Sequence, residues 1–243
     1  MNPMIKTGLI LAAGKGSRMG QYSGQSKPMV QVVDKPLIGY AIEAMLYCGV
    51  STIDVVFSDY SKDIVTLQDQ YKGQHLSFIY QENVIGSLSS LSFALSVVEP
   101  PFIMTDADII IHPNVLKQAL DNYVYQGEDM AIAAIASPTF PNKQTLHIRD
   151  GCPVGFYGKG YTCPNTKRDI FCQGGMVYLW FRSPRAELAR LEQDGMRRMS
   201  IFLNDYMKTH QVNVFTIQDL WDVDTPEDIS ASVKILRNSL ITG

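Results

Sequence analysis

The sequence predicts an α/β protein of three layers. A mixed, mainly parallel central sheet of Rossmann-like arrangement carries helices on both faces. Three observations predict it. Apolar runs of strand length alternate with segments of helix length and helical periodicity. The first apolar run, Gly8 to Leu11, opens directly into a glycine-rich loop. The run Met130 to Ala136 is almost wholly apolar, as a strand covered on both faces requires. At 243 residues, 46% hydrophobic, the chain is long enough for one large domain, 1–243, with an insertion at about 137–173.

The elements follow in order. Gly8 to Leu11 is the first strand. Val30 to Val33 is short and apolar, and Asp34-Lys35-Pro36 turns the chain. Pro36 opens a helix, where its missing N–H costs nothing. Leu37, Ile38, Ala41, Met45 and Leu46 share one face of it, and Gly49 stops it. Ile53 to Phe57 is the second strand, after which Ser61 should cap a polar helix from Lys62 to about Tyr71. Leu76 to Tyr80 is the third strand. Ser87 to Val98 is a helix with Leu88, Leu91, Leu95 and Val98 inward, ended by Pro100-Pro101. Phe102 to Thr105 is the fourth strand and runs into Asp106-Ala107-Asp108. Pro113 opens a helix to about Tyr125. From Ser137 to Gln173 Pro, Gly and aromatics are frequent and helical periodicity is absent, which suggests an insertion or lid over the sheet edge. Gly174 to Phe181 is strand-like, Pro184 to Gln193 and Met199 to Thr209 are helical, and Val212 to Ile217 is a late strand. Thr225-Pro226-Glu227-Asp228 has the cap, first-turn proline and capping acid of a helix start.

Composition excludes several classes. The net charge is −3 with no long run of either sign, so nucleic acid and anionic membrane are not favoured partners. Cys48, Cys152, Cys163 and Cys172 form no CxxC pair, so a structural zinc site is not expected and a reducing compartment is. The N-terminal apolar run is too short for a signal peptide, and no stretch is long enough to span a bilayer. The expectation is a soluble cytoplasmic protein.

The loop from Leu9 to Pro28 carries Lys15, Arg18 and Lys27 and no acid. Glycine lets backbone N–H groups approach an anion, and the cations cancel its charge. Both familiar phosphate loops are near misses. G-x-G-x-x-G finds Gly14 and Gly16 but Met19 in the third place. The P-loop pattern finds Gly14-Lys15 but Leu9 at its start and Gly16 where Ser or Thr belongs. By glycine count alone an ordinary strand-to-helix turn also fits. Asp106 and Asp108, two carboxylates after an apolar strand, invite a hard cation such as Mg²⁺, although a solvated acidic turn has the same residues. Loop and acids both follow strands and should open onto the same sheet edge.

LAAGKGSRM, then KP, then KPLIGYAIEAMLYCGV resemble the opening of the sugar-phosphate and alcohol-phosphate nucleotidyltransferases. That family includes N-acetylglucosamine-1-phosphate uridylyltransferases, phosphocholine and inositol-phosphate cytidylyltransferases and molybdenum-cofactor nucleotidyltransferases. The resemblance implies a GT-A-like nucleotidyltransferase fold whose loop, with Gly16 and Ser17, wraps a nucleoside triphosphate. Arg18 and Lys27 would hold the phosphates, and Leu11, Ala12, Ala13 and Gly14 would flank base and ribose. The segment Gln81 to Ser87 resembles the family's base-reading stretch: Gln81 would read a pyrimidine edge, Gly86 would let the backbone approach, and Ser87 starts a helix. A loop ending in a serine N-cap fits the same segment. Asp108 matches the family's metal-binding Asp, with Asp106 beside it, and WDVDTPED resembles the C-terminal stretch where Asp224 would complete the Mg²⁺ site. Asp222, two residues away in extended chain, could face the same side.

The resemblance places a phosphorylated small-molecule acceptor between the fifth and late strands. Gly174 and Gly175 resemble positions where backbone approaches it. Tyr157, Tyr161, Phe171 and Trp180 could cage a quaternary ammonium group or simply pack the core. Lys159, Lys167 and Arg168 could meet its phosphate. The four scattered histidines receive no role. The implied reaction is attack by the acceptor's phosphate on the α-phosphorus, with pyrophosphate leaving. CTP is favoured through the likeness of the ending to inositol-phosphate enzymes. A molybdenum-cofactor-type transferase and a nucleotide-binding module without turnover remain alternatives. A nicotinamide oxidoreductase lacks its third glycine.

Overall fold

The computed structural model describes residues 4–19, 24–135, 144–157, 165–193 and 198–241. β1 (Thr7–Leu11) is followed by a 3-10 turn Ser17–Met19, a second 3-10 turn Lys27–Met29 and the hairpin β2 (Gln31–Val32) and β3 (Lys35–Pro36). Next come α1 (Leu37–Tyr47), β4 (Thr52–Phe57), a 3-10 run Asp59–Thr66, α2 (Leu67–Gln70), β5 (His75–Tyr80) and α3 (Ser87–Ala94). β6 (Phe102–Asp106), β7 (Ile109–Ile110), α4 (Pro113–Asn122) and β8 (Met130–Ile135) complete the N-terminal half. The remainder is β9 (Thr145–Arg149), β10 (Cys152–Tyr157), β11 (Asp169–Trp180), α5 (Arg185–Gln193), α6 (Met199–Tyr206), β12 (Val212–Ile217), β13 (Trp221–Asp222) and α7 (Pro226–Ile241).

The main sheet has the order β10-β9-β11-β6-β1-β4-β5, with β8 beside β11 and β12 beside β8. β6, β1, β4 and β5 run parallel, as does β12 with β8, while β11 is antiparallel to β6, β8 and β9. This is the mixed, mainly parallel sheet expected. One core lies against α1 and α4, through Ile38, Ile42, Met45 and Leu116. The other lies against α3, α5 and α6, through Leu88, Leu91, Leu188 and Phe202. β8 is buried at every residue because both cores meet on it.

Four expectations change. Ser58, not Ser61, caps the segment after β4: its hydroxyl accepts from Tyr60 N, and Ser61 sits at a non-helical kink. The polar stretch expected as one helix therefore winds mostly as 3-10. Pro36 precedes α1 as its N-cap. β11 begins at Asp169, five residues ahead of the expected strand. Most of all, the described part of 137–173 is not irregular. β9 and β10 form a hairpin that extends the main sheet through β11. Its turn is Asp150-Gly151, with φ of +50° and +83°. Asp-Gly between strands is a strong hairpin signal, and here it marks the turn.

Candidate active site

The glycine-rich loop leaves the carboxyl end of β1 and is tied down from below. Ala12 N donates to Val56 O, Ser61 Oγ donates to Ala12 O, and Ser58 Oγ donates to Ala13 O. Ser58 and Ser61 thus also fix the start of the glycine-rich loop. Ser26 N donates to Asp63 Oδ2, 2.9 Å, which pins the segment that presents Lys27. Lys15 lies over the Tyr60 ring at 5.1 Å and also lines the cavity that the loop borders.

The acidic side is assembled by a two-stranded device. β13 pairs antiparallel with β7, Trp221 opposite Ile110 and Asp222 opposite Ile109, and Val223 N donates to Asp108 O. This ladder brings Asp222 and Asp224 to Asp108. One carboxylate oxygen from each of the three lies within 4.8 Å of the others. A cluster of carboxylate oxygens this tight is the donor set that a hard divalent cation takes. Asp224 is held from the other side by the start of α7. Asp228 Oδ2 accepts from Asp224 N and Thr225 N, and Thr225 Oγ1 accepts from Asp228 N. The expected capping acid therefore also fixes the backbone of a site residue.

Loop and acids meet. Lys27 Nζ lies 2.5 Å from Asp108 Oδ2 and 3.3 Å from Asp224 Oδ1, and Arg18 Nη1 lies 2.6 Å from Asp224 Oδ2. Arg18 and Asp224 are 206 positions apart in sequence. Burial disfavours the Lys27 ammonium, but the charge and hydrogen bond of Asp108, then Asp224 and Asp222, outweigh it and raise its pKa. Asp106 stands behind this group. Burial first, then the charges of Asp108 and Asp222, push its carboxyl well above the ordinary range.

Two adjoining cavities share this centre. The first, about 330 Å³, is lined by Leu11, Ala12, Ala13, Gly14, Gly16, Ser17, Arg18 and Lys27 on the loop side. Gly86, Ser87, Asp106, Asp108 and Asp224 close it. Nearly every residue expected for nucleotide is brought together here. Gln81 is the exception. It is buried outside this lining, its amide donating to Asn83 O and Ser89 Oγ while its carbonyl oxygen accepts from Ser90 Oγ. Ser90, which the sequence reading passed over, lines the cavity instead.

The second cavity, about 480 Å³, runs from Arg18, Asp106, Asp108, Asp222 and Asp224 past Gly174 to Arg198, Met199 and Ser200 at the start of α6. Its floor is a β-bulge: the β11–β8 register shifts between Gly174 and Tyr178, with Gly175 at φ +86° and Met176 at φ +66°. A Cβ on Gly174 would lie 2.4 Å from the Leu146 Cβ, so only glycine lets β9 approach there. Gly174 and Met176 line the cavity; Gly175 shapes the bulge without lining it.

The aromatic group separates. Trp180 is fully buried and packs on Phe102, Phe202 and Tyr206, so it belongs to the core. Tyr157 lies on β10 and Phe171 on β11, where Phe171 stacks on His147 of β9 at 4.2 Å, outside the lining of both cavities. His147 also has a partner: its Nε2 is 2.7 Å from Asp169 Oδ1. Arg168 pairs with Asp150. Tyr161, Lys159 and Cys163 lie outside the described residues. Cys48, Cys152 and Cys172 are free thiols.

A cationic glycine loop facing an acidic cluster at the carboxyl edge of a mixed α/β sheet defines a domain of the nucleotidyltransferase class. The family model described as MobA-like NTP transferase domain matches residues 8–209, and the chain belongs to that family. The chain is 26% identical to the bifunctional protein GlmU of Thermodesulfovibrio yellowstonii over 97% of its own length and 53% of that protein. It therefore spans about half the length of that curated relative, and less of two other GlmU proteins that it matches. It is 23% identical to the 2-aminoethylphosphonate cytidylyltransferase of Lancefieldella rimae, covering 92% of this chain and 90% of that one. Among solved structures, a putative glucose-1-phosphate thymidylyltransferase from Bacillus anthracis superposes with a TM-score of 0.77 at 16% identity, over 95% of both chains. The inositol-1-phosphate CTP transferase from T. maritima gives 0.75 at 17% identity, over 96% of this chain and 98% of that one. These likenesses establish the fold. Among the described residues, no helix is long and apolar enough to cross a membrane.

Proposed function

We propose that this protein transfers a nucleotidyl group from a nucleoside triphosphate to a phosphorylated small alcohol or sugar, releasing pyrophosphate, with CTP the favoured nucleotide. The observation that carries the reading is the meeting of Lys27 and Arg18 with Asp108 and Asp224, from opposite ends of the chain, over a glycine loop. The choice of CTP is supported by the near full-length likeness to a cytidylyltransferase.

In this mechanism an oxygen of the acceptor's phosphate attacks the α-phosphorus, the bond from that phosphorus to the bridging β-oxygen breaks, and pyrophosphate carries away the electron pair. An acceptor phosphate has its second pKa at about 6 and is mostly dianionic near neutrality. No general base is needed. The task is to align two anions and cancel their repulsion. Leu11 to Gly14 flank base and ribose, and the loop from Gly14 to Ser17 wraps the triphosphate. Gln81 acts through Ser90, which it holds at the cavity wall. Arg18, with its side chain 59% exposed, reaches the phosphates from the rim, while Lys27 works from within. Asp108, Asp222 and Asp224 would hold a Mg²⁺, which when bound supplies charge neutralisation to phosphate oxygens.

A screen of the four triphosphates against phosphorylated acceptors for pyrophosphate release tests the reading. Nucleotide binding without release with any pair would instead favour a regulatory module. In the active pair, Arg18→Ala or Lys27→Ala should lower kcat by about 10²–10³, the usual cost of losing one well-aimed charge-stabilising group. Asp108→Ala and Asp224→Ala should abolish turnover while the circular dichroism spectrum stays folded; full activity in either removes the metal assignment.

A further inference from the structure

The second cavity has walls that the nucleotide cavity does not share, and their chemistry bears on the acceptor. Among the described side chains, Arg18, Arg149, Arg168, Arg182, Arg185 and Arg190 each pair with a carboxylate. Arg198 pairs with none and lines this cavity. A dianionic acceptor entering here meets Asp106, Asp108, Asp222 and Asp224. Arg18 also faces the triphosphate side, so among the described residues Arg198 is the lining cation left to attract the acceptor. A guanidinium suits that task, because its planar fork matches phosphoryl oxygens.

The rest of the wall is mixed. Ile85, Met176 and Met199 are its large apolar residues, while Ser87, Gln144, Tyr178 and Ser200 offer neutral hydrogen-bonding groups. Hydroxyls of a hexose phosphate that met the apolar residues would go unpartnered, and a buried hydroxyl without a partner is costly. An alkyl chain asks for no such partners, and methionine adapts to irregular apolar shapes.

We infer that the acceptor is a short-chain alkyl phosphate or phosphonate, its anionic head bound by Arg198 and its carbon chain lying against Met176, Met199 and Ile85. The inference rests on the transferase reading for its chemistry, but the binding it predicts is measurable without turnover. Methylphosphonate titrated into the full-length protein and followed by ³¹P NMR should bind the wild type. Arg198→Ala should weaken that binding by about tenfold or more, and Arg198→Lys should restore part of it, as loss of a charge-assisted pair requires. No binding to the wild type, or equal binding to Arg198→Ala, overturns the assignment whatever the enzyme assay gives.

In the pyrophosphate assay, 2-aminoethylphosphonate, ethanolamine phosphate and phosphocholine are compared with glucose 1-phosphate and N-acetylglucosamine 1-phosphate. The best short-chain acceptor should exceed the best sugar by about 10² in kcat/KM, the range open to a site with mismatched polar groups. Arg198→Ala should raise the acceptor KM by about tenfold and leave the nucleotide KM within about twofold. A preference for the sugar phosphates, or an equal rise in both KM values, overturns it. If no acceptor releases pyrophosphate, the transferase reading fails, and the phosphonate titration still decides the role of Arg198.

Discussion

Gly16 shows how tightly single residues set this site. Its φ is +59°, and a Cβ there would lie 2.8 Å from the Lys27 Cβ. Gly14 differs: its φ is not in the left-handed region, and a Cβ would meet nothing within 4 Å. Gly16→Ala should therefore displace Lys27 and lower kcat, whereas Gly14→Ala should leave the fold intact and act only on nucleotide approach. Thermal melts alongside nucleotide KM separate the two. Asp169, at the start of β11, gives a pH prediction. Hydrogen bonds from His147 and then Arg149 hold its carboxyl below the usual range. A depressed folded-state pKa contributes stability above the unfolded value of about 3.9, and that stability is lost as pH falls through the folded value. The Tm of the wild type should exceed that of Asp169→Asn near neutrality, and the gap should close in acid below pH 4; a gap that persists there contradicts the pairing. At this scale the sequence was most legible where residue type and motif coincide, at Arg18, Lys27, Asp108 and Asp224. Arg198 carries no motif, and the cavity that gives it meaning exists only once α6 packs beside the bulge.

Among the elements, the β7–β13 ladder and the start of α7 do the most for the site. They bring the C-terminal acids to Asp108 and lock Asp224 through Asp228. Asp228→Ala removes the acceptor of the Asp224 and Thr225 N–H groups and should cost about 0.5–1.5 kcal/mol for each lost hydrogen bond, seen as a lower Tm. It should also lower kcat, because the Asp224 backbone loses its acceptor; a stability loss with unchanged kcat would make the cap purely structural. The helix start at Thr225 was readable because caps are local. β7 and β13 were not, since two-residue strands leave no periodicity and are defined only by each other. The hairpin β9–β10 was missed for a different reason. Its strands are short, so their alternation is weak, although Asp150-Gly151 marks its turn. Ser61 lost the cap to Ser58 because the chain turns directly off β4, where Ser58 also reaches the phosphate loop.

For the whole molecule, the alternation of strands and helices was enough to give the sheet, its two covered faces and the edge where loop and acids meet. It could not give the antiparallel course of β11, which depends on pairing across distant segments. That reversal places the bulge of Gly174 to Tyr178 beside β6, so that the two cavities open onto the same carboxylates. The proposed transfer requires attack at the phosphorus nearest the nucleoside. The most direct measurement uses CTP, or the triphosphate that the screen selects, labelled in separate samples at the α- and γ-phosphorus, with the preferred acceptor. The α-label should appear in the acceptor product and the γ-label in pyrophosphate. Transfer of the γ-label to the acceptor, or its release as inorganic phosphate with the α-label left in the nucleoside diphosphate, would contradict the account.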